Sequence, residues 1–421
     1  MENLPENFCV LPFIHFFVNY NGGAFPCCYF ARHLEENTKE VPYGNIKKNK
    51  AKTICNNEKF KQVKQDILNN TPPKACAAYC LKEEKFGGWS YRKWANSQYL
   101  PLIDGQTSTS LLKTTPSYWL VAFSNTCNFR CRSCNPYASS SIYKENVKFK
   151  KKFPCLTTNI DPPAGSIILE EIKSNYKDIQ VLHFHGGEPL LHPEFWEILD
   201  FFILKKKTDI KIHFNTNTST LSYKGRNIID VLRNFKPENL YIQCSIDAVG
   251  ERAELIRKGT RWKEVEKNIL DLLQARVGIV LIGMTVGALS VFGLNQTIDY
   301  LIQKDLISKF HHCTNFYINQ IVSPSHYSFS VIPLEGRKKI IKSLTRLIDK
   351  YKHYPGFEDK VNSVVGWVQN TPYNKEDAKE FIKFTQVTDS IRKENTYKTI
   401  PEAVCIRDYY LKNYGSNQDS N

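Results

Sequence analysis

Cys127, Cys131 and Cys134 fall within eight residues, with three and then two positions between them. Thiolates are soft ligands that suit iron–sulfur clusters, zinc or copper(I). A 4Fe–4S cluster is normally held by four cysteines. Three close together therefore suggest a centre with one position open, as catalytic metal sites keep for a substrate. A closed zinc knuckle with its fourth ligand elsewhere is the other reading the spacing allows. A second set lies nearer the N-terminus: Cys9, Cys27, Cys76 and Cys80. Four thiolates in two separated pairs match a closed tetrahedral site or a cubane cluster. Cys28 and Cys55 are left over.

Other candidates sit where apolar runs end. His185 is followed by Gly186-Gly187-Glu188-Pro189, two glycines that permit close backbone approach and a carboxylate that can accept. Asn215 opens the polar run 215–218. Ser245 and Asp247 alternate to one side at the end of another run, and Asp247 could also cap a helix. Arg257 offers a planar donor suited to bidentate carboxylate binding. The triplet His311-His312-Cys313 resembles a metal set only superficially, because it precedes a strand pattern.

Elements must position these residues. Apolar runs predict strands at 119–123, 180–184, 210–214, 240–246, 279–286 and 315–321. Helical patterns near 165–174, 193–206, 225–234, 262–275 and 294–304 separate them. Strands alternating with helices imply a parallel sheet with right-handed crossovers, an α/β fold. Six such units suit a partial (β/α)6 barrel, whose chemistry sits at the C-terminal strand ends. The three-cysteine loop follows the first of these strands. Before it, residues 1–95 read as a small Cys-rich α+β module. There Asn21-Gly22-Gly23 turns a hairpin between 13–18 and 24–30, leaving Cys9 and Cys27 at its two ends. A helix is predicted at 59–68. Residues 96–117 read as a polar linker, 118–330 as the barrel, and 331–421 as a helical extension and tail. That extension has amphipathic helices at 335–352 and 375–393. The tail from Tyr414 reads as disordered.

Composition narrows the class. The chain has 421 residues, 42% hydrophobic and 24% charged, as in globular proteins. No apolar run reaches the roughly 18 residues of a membrane span, and the acidic, polar start is no signal peptide. A cytoplasmic protein is expected. Thirteen cysteines then argue for metal or redox chemistry over disulfides. Cys155, Cys244, Cys313 and Cys405 read as buried apolar residues. The net charge of +15 favours anionic partners. The lysines are dispersed in short runs, which read better as a solvated surface than as a nucleic-acid site.

The C-x3-C-x2-C spacing after a first strand resembles the signature of the radical SAM (S-adenosylmethionine) enzymes. The resemblance implies a TIM-like partial barrel in which Cys127, Cys131 and Cys134 hold a 4Fe–4S cluster whose fourth iron binds the cofactor. Gly186, Gly187, Glu188 and Pro189 look like the family's GGEP motif, which contacts the methionine amino group. Ser245 and Asp247 fall at the position that contacts cofactor ribose or carboxylate, and Arg257 fits the arginine that binds the carboxylate. Asn215 is assigned to cofactor binding with them. One departure is Ser133, where relatives carry a larger residue against the adenine. The N-terminal module is similar to SPASM/twitch domains, which implies a second, auxiliary 4Fe–4S cluster on Cys9, Cys27, Cys76 and Cys80. The thiolate spacing there leaves zinc open. The implied activity is reductive cleavage of S-adenosylmethionine and hydrogen abstraction from a peptide or protein, with electrons from a flavodoxin- or ferredoxin-type donor. The alternatives are a small-molecule substrate, in a sugar or nucleotide dehydrogenase or transferase, and a non-enzymatic zinc module binding nucleic acid. The auxiliary cysteines are expected at the C-terminal rim of the strands, close to the three-cysteine loop.

Overall fold

Strands form where β-branched and aromatic residues can bury both faces. The computed structural model of the chain describes residues 4–31, 41–85, 90–307 and 315–415. Two compact units divide them. The first comprises Met1–Thr126, Ile160–Phe214 and Asn234–Leu240; the second comprises Cys127–Asn159, Asn215–Arg233 and Tyr241–Asn421.

The first unit is built on β1 (His15–Val18), β2 (Gly23–Phe25), β3 (Gly44–Asn45), β4 (Tyr118–Val121), β5 (Val181–Phe184) and β6 (Lys211–Thr216). Their order is β3-β2-β1-β4-β5-β6. β1, β4, β5 and β6 run parallel, and β2 runs antiparallel between β1 and β3. β1 pairs with β4 residue for residue, from His15 with Tyr118 to Val18 with Val121. The Cys-rich segment thus extends the sheet. Its hairpin turns as expected, with Gly22 at φ 92° and the Asn19 N–H donating to the Gly23 carbonyl at 3.0 Å. The return strand is shorter than predicted. It stops at Phe25, and residues 28–31 are helical. The predicted helix at 59–68 is Glu58–Leu68, capped by the Asn57 side chain and burying Phe60, Val63 and Ile67. The stretch 96–117 is not an open tether: Tyr99, Ile103 and Leu111 are buried in the same core as Cys9, Cys27 and Tyr118.

The second unit holds β7 (Leu240–Ser245), β8 (Ile279–Val286) and β9 (Phe316–Gln320), all parallel. The six strands β4 to β9 lie within two residues of the predicted runs, and helices Gly165–Asn175, Pro193–Leu204, Ile228–Leu232, Trp262–Ala275 and Leu294–Gln303 alternate with them. The class is α/β, as expected. Burial alternates along β6 and β7. That alternation gives Asn215 and Ser245 to the less buried strand face and Phe214 and Cys244 to the core. The extension contains Leu334–Tyr351 and Lys375–Arg392, as predicted, and two further helices, Phe357–Asn370 and Val404–Tyr414. Cys244 is buried, but Cys155 is exposed and Cys405 half-buried, so the four scattered cysteines are not uniformly core residues. Cys313, His311, His312 and the tail beyond 415 lie outside the described residues.

In the first unit His15 is buried, and His185 and His213 are half-buried with their Nε2 atoms out of reach of solvent. Burial pushes His15 and His185 down to about 3, and His213 well below its ordinary range. Each stays neutral over the range where the unfolded chain takes up a proton, below about pH 6.5. A depressed folded value means stability is kept above that pH and lost as pH falls through the window beneath it. The loss is at most about 1.4 kcal/mol per pH unit for each such group. Urea unfolding should therefore show a lower midpoint at pH 5 than at pH 7, and His185→Phe should reduce the difference. A flat profile over that interval would exclude neutral burial.

Candidate active site

The three-cysteine loop is knitted by its neighbours in sequence. Helix Ser140–Phe149 follows it, with Ser139 as N-cap accepting from the Ile142 N–H. Ser139 Oγ donates to the Phe129 carbonyl at 2.6 Å, and Ser141 Oγ to the Cys127 carbonyl at 2.7 Å. Ser140 Oγ accepts from the Cys127 N–H at 3.2 Å. A turn brings the Cys134 N–H to the Cys131 carbonyl at 3.1 Å. The Phe129 N–H lies 3.4 Å from Cys127 Sγ, and Asn217 Nδ2 4.0 Å from it, while Asn217 also donates to Asn128 Oδ1 at 2.9 Å. Burial raises the Cys131 thiol, and burial with the neighbouring Cys131 and Cys127 pushes Cys134 up to about 12.

Across this loop, Arg257-Lys258 pairs antiparallel with Cys131-Arg130. Arg257 Nη1 donates to Asp247 Oδ2 at 3.0 Å, and the other Asp247 oxygen accepts from the Thr285 N–H at 2.8 Å. The arginine is thus fixed by the carboxylate at the end of β7. Its Nε is buried without a partner among the described residues. Burial opposes the Arg257 charge, but Cys131 and Asp247 outweigh it and hold the proton more firmly than usual. Gly259, at φ 114°, lets the following turn close on Phe129: a Cβ there would stand 2.7 Å from the Phe129 ring. Asn215 and Ser245 both belong to the second unit, Asn215 in the part of β6 that lies there and Ser245 as the last residue of β7.

In the first unit, β5 ends in the Gly-Gly-Glu-Pro turn. Gly186 and Gly187 have φ of 75° and 60°. A Cβ on Gly187 would lie 2.3 Å from the Thr126 carbonyl, which itself accepts from the Glu188 N–H at 2.8 Å. Glu188 is buried and its Oε1 accepts from the Leu190 N–H at 3.3 Å. Pro189 opens the short turn that follows. His192 Nε2 is 2.9 Å from the same Thr126 carbonyl.

The second cysteine set lies elsewhere in this unit. Cys76 precedes, and Cys80 lies within, a widened π-type turn over Ala77–Leu81. The thiols feel one another: burial raises Cys9, with Cys76 and Cys80 adding to it, and Cys27 is raised by its hydrogen bond with the Cys28 thiol, by burial, and by Cys9 and Cys80. Cys55 is apart, beside Lys64. Their location corrects an expectation. β2 returns antiparallel, so Cys27 falls level with His15, and the Pro26 carbonyl is 3.1 Å from His15 Nδ1. Cys9 precedes β1. This set therefore lies at the N-terminal ends of the parallel strands, whereas Thr126 and Gly186 lie at the C-terminal ends. The hairpin turn occupies the rim, and its open ends point away from it. Among the described residues no three or more His, Cys, Asp and Glu side chains converge as ligands of a single ion do. A cubane asks for less, since each thiolate meets its own iron.

The family model of the radical SAM superfamily matches residues 121–295, and that of the iron–sulfur cluster-binding SPASM domain matches residues 9–81. The chain carries a radical SAM domain over residues 121–295. The radical SAM domain implies a 4Fe–4S cluster and S-adenosylmethionine, and the SPASM domain an auxiliary iron–sulfur cluster. The residues fit these groups: soft thiols in both sets, an orphaned buried Arg257 Nε, and a glycine backbone with no room for side chains. Among solved structures, this chain is similar to hexahistidine-tagged anSMEcpe with bound AdoMet, at 18% identity and TM-score 0.40 over 56% of this chain and 59% of that one. It is also similar to Streptococcus suis SuiB bound to S-adenosylmethionine, at 13% identity and TM-score 0.35 over 68% and 61% of the two chains. SuiB bound to precursor peptide SuiA gives 13% and 0.34 over 81% and 68%. The chain spans about three fifths of the length of the first of these. No curated protein matches it. No helix among its described residues is long and apolar enough to cross a membrane.

Sequence reasoning took in Asn217 only as part of the polar run 215–218, and missed the roles of the serine run 139–141 and of the arginines flanking Cys131. Ser and Arg beside a cysteine motif carry no local signal of their partners.

Proposed function

We propose that this chain is a cytoplasmic enzyme that cleaves S-adenosylmethionine reductively and abstracts a hydrogen atom from a peptide or protein. The observation that carries the reading is the Cys127–Cys134 loop paired through Cys131 to Arg257, which Asp247 orients. Cys127, Cys131 and Cys134 would hold the cluster, leaving one iron for the cofactor. Arg257, with Asn215, Ser245 and Asp247, would receive the cofactor's carboxylate and ribose, and Gly186, Gly187, Glu188 and Pro189 its amino group. Cys9, Cys27, Cys76 and Cys80 would hold the auxiliary cluster. Held there, a 4Fe–4S cluster would supply the electron for reductive cleavage of S-adenosylmethionine, the chemistry from which hydrogen abstraction would follow. The protein's part is to orient the zwitterion and exclude water.

Because the auxiliary cysteines lie at the N-terminal strand ends, the case for direct contact with substrate at the rim is gone, and no catalytic step is assigned to them. The +15 charge favours a substrate with acidic groups. A flavodoxin- or ferredoxin-type protein would supply the electron. Anaerobically reconstituted protein should be brown and, with dithionite, form 5′-deoxyadenosine from S-adenosylmethionine. A colourless zinc-loaded protein without that product would sink the reading.

Glu188 and Arg257 are expected to fix the methionine end by charge-assisted contacts, each contributing about 1.5–3 kcal/mol. Glu188→Gln and Arg257→Lys should weaken cofactor affinity by about tenfold or more with iron content unchanged. Arg257→Lys retains charge beside Asp247, so the buried carboxylate is not orphaned. Unaltered affinity in both would remove these assignments.

A further inference from the structure

Of the residues beside Cys131, Arg132 is held directly by the C-terminal extension, and Arg130 is held by Glu145, which the extension's Arg392 also grips. Arg132 Nη2 donates at 2.6 Å to Asp389 and at 2.6 Å to Glu394, and its side chain is 1% exposed. Arg130 pairs at 2.6 Å with Glu145, which also takes Arg392 at 2.8 Å. Lys258, in the strand pair across the loop, reaches Glu394 at 2.7 Å. The helix Lys375–Arg392 ends so as to allow this: Lys393 takes a left-handed conformation at φ 54°, and the Glu394 N–H closes on the Asp389 carbonyl at 3.0 Å. The turn aims two carboxylates at one guanidinium. Asp389 is itself held by Thr396, through N–H and hydroxyl at 2.9 and 2.8 Å. Five cationic side chains and four carboxylates (Asp247 and Arg257 included) surround Cys131, so their charges nearly cancel. A buried guanidinium with two carboxylates is worth retaining only where geometry is fixed, because breaking one member leaves an uncompensated charge.

We propose that the end of helix Lys375–Arg392 is a clamp on the three-cysteine loop, with Asp389, Glu394 and Arg392 as positioning residues that fix Cys131, the two carboxylates also offsetting the positive charge around it. This extends a function to a region beyond residue 295, where the superfamily match ends. The loop-holding claim stands on the ion pairs; the effect on the cluster rests on the ligand assignment made above.

The test uses full-length Asp389→Asn/Glu394→Gln, which keeps shape but removes two charges, and Arg132→Lys, which keeps charge but is shorter and loses the Nε bond to the Leu255 carbonyl. Amide hydrogen exchange on iron-free protein should be about tenfold or more faster in 127–135 in both variants, with β4 and β8 unchanged. In reduced, reconstituted protein, the paramagnetic signal that shifts on adding S-adenosylmethionine should titrate at a more positive potential in the double variant, the other cluster's signal serving as control. Exchange at 127–135 unaltered in both variants overturns the clamp. A wild-type protein with no S-adenosylmethionine-responsive signal overturns the cluster assignment instead, while the exchange result still judges the clamp. Should the double variant fail to fold, Arg132→Lys decides.

Discussion

Changing Cys127, Cys131 and Cys134 together to alanine should abolish S-adenosylmethionine cleavage and remove about half of the bound iron, if each set holds one 4Fe–4S cluster. The other half should stay with Cys9, Cys27, Cys76 and Cys80. The reason for separability is structural: each set is built from its own local elements. One is a loop sewn to a serine-capped helix, the other a hairpin base facing a helical pair. Losing three ligands from one set removes no support from the other. The converse variant, with those four cysteines replaced, should lose the other half and keep some cleavage uncoupled from substrate. Iron analysis and 5′-deoxyadenosine production measure both. Saturation of the unaltered protein near about four irons per chain would eliminate the auxiliary cluster.

Gly187→Ala should cost about 3 kcal/mol or more of stability and most of the cofactor affinity. A left-handed conformation costs an L-residue about 1–2 kcal/mol. The larger cost is contact: the new Cβ would meet the Thr126 carbonyl at 2.3 Å, and that carbonyl is backbone, already accepting from Glu188. Relief requires moving the turn that carries Glu188. Gly225→Ala is the control, with φ at 80° and no atom within 4 Å. It should show the conformational cost alone. Denaturant unfolding and calorimetric titration of S-adenosylmethionine distinguish the two, and equal behaviour of the variants would refute the argument from contact.

What can be read from the sequence follows the range of the interactions. Strands β4 to β9 are legible because their apolar runs are local and bounded by turns. The three cysteines and the Gly-Gly-Glu-Pro turn are legible because their chemistry sits in consecutive residues. The partners of Arg132 are 257 and 262 residues away, and nothing near Arg132 marks them. Cys9 and Cys27 are recognisable as the two ends of one hairpin, but not the end of the parallel strands they occupy. That depends on β1 pairing parallel with β4 across about a hundred residues. Helix Phe357–Asn370 has Val361, Val364 and Val368 at helical spacing, yet the turn residues Pro355-Gly356 just before it mask the pattern.

The serine run at the start of helix Ser140–Phe149 has a consequence for how the chain is made and maintained. Its bonds to Phe129 and Cys127 join protein atoms alone. Ordering a loop of this length costs about 1–2 kcal/mol per residue in backbone entropy, and here the folded polypeptide bears much of that cost itself. Zinc fingers, by contrast, remain unfolded until metal arrives. If the three cysteines hold the proposed cluster, a loop already shaped could be loaded after synthesis ends, and reloaded after oxygen strips the iron, without the chain passing through an unfolded, protease-sensitive state.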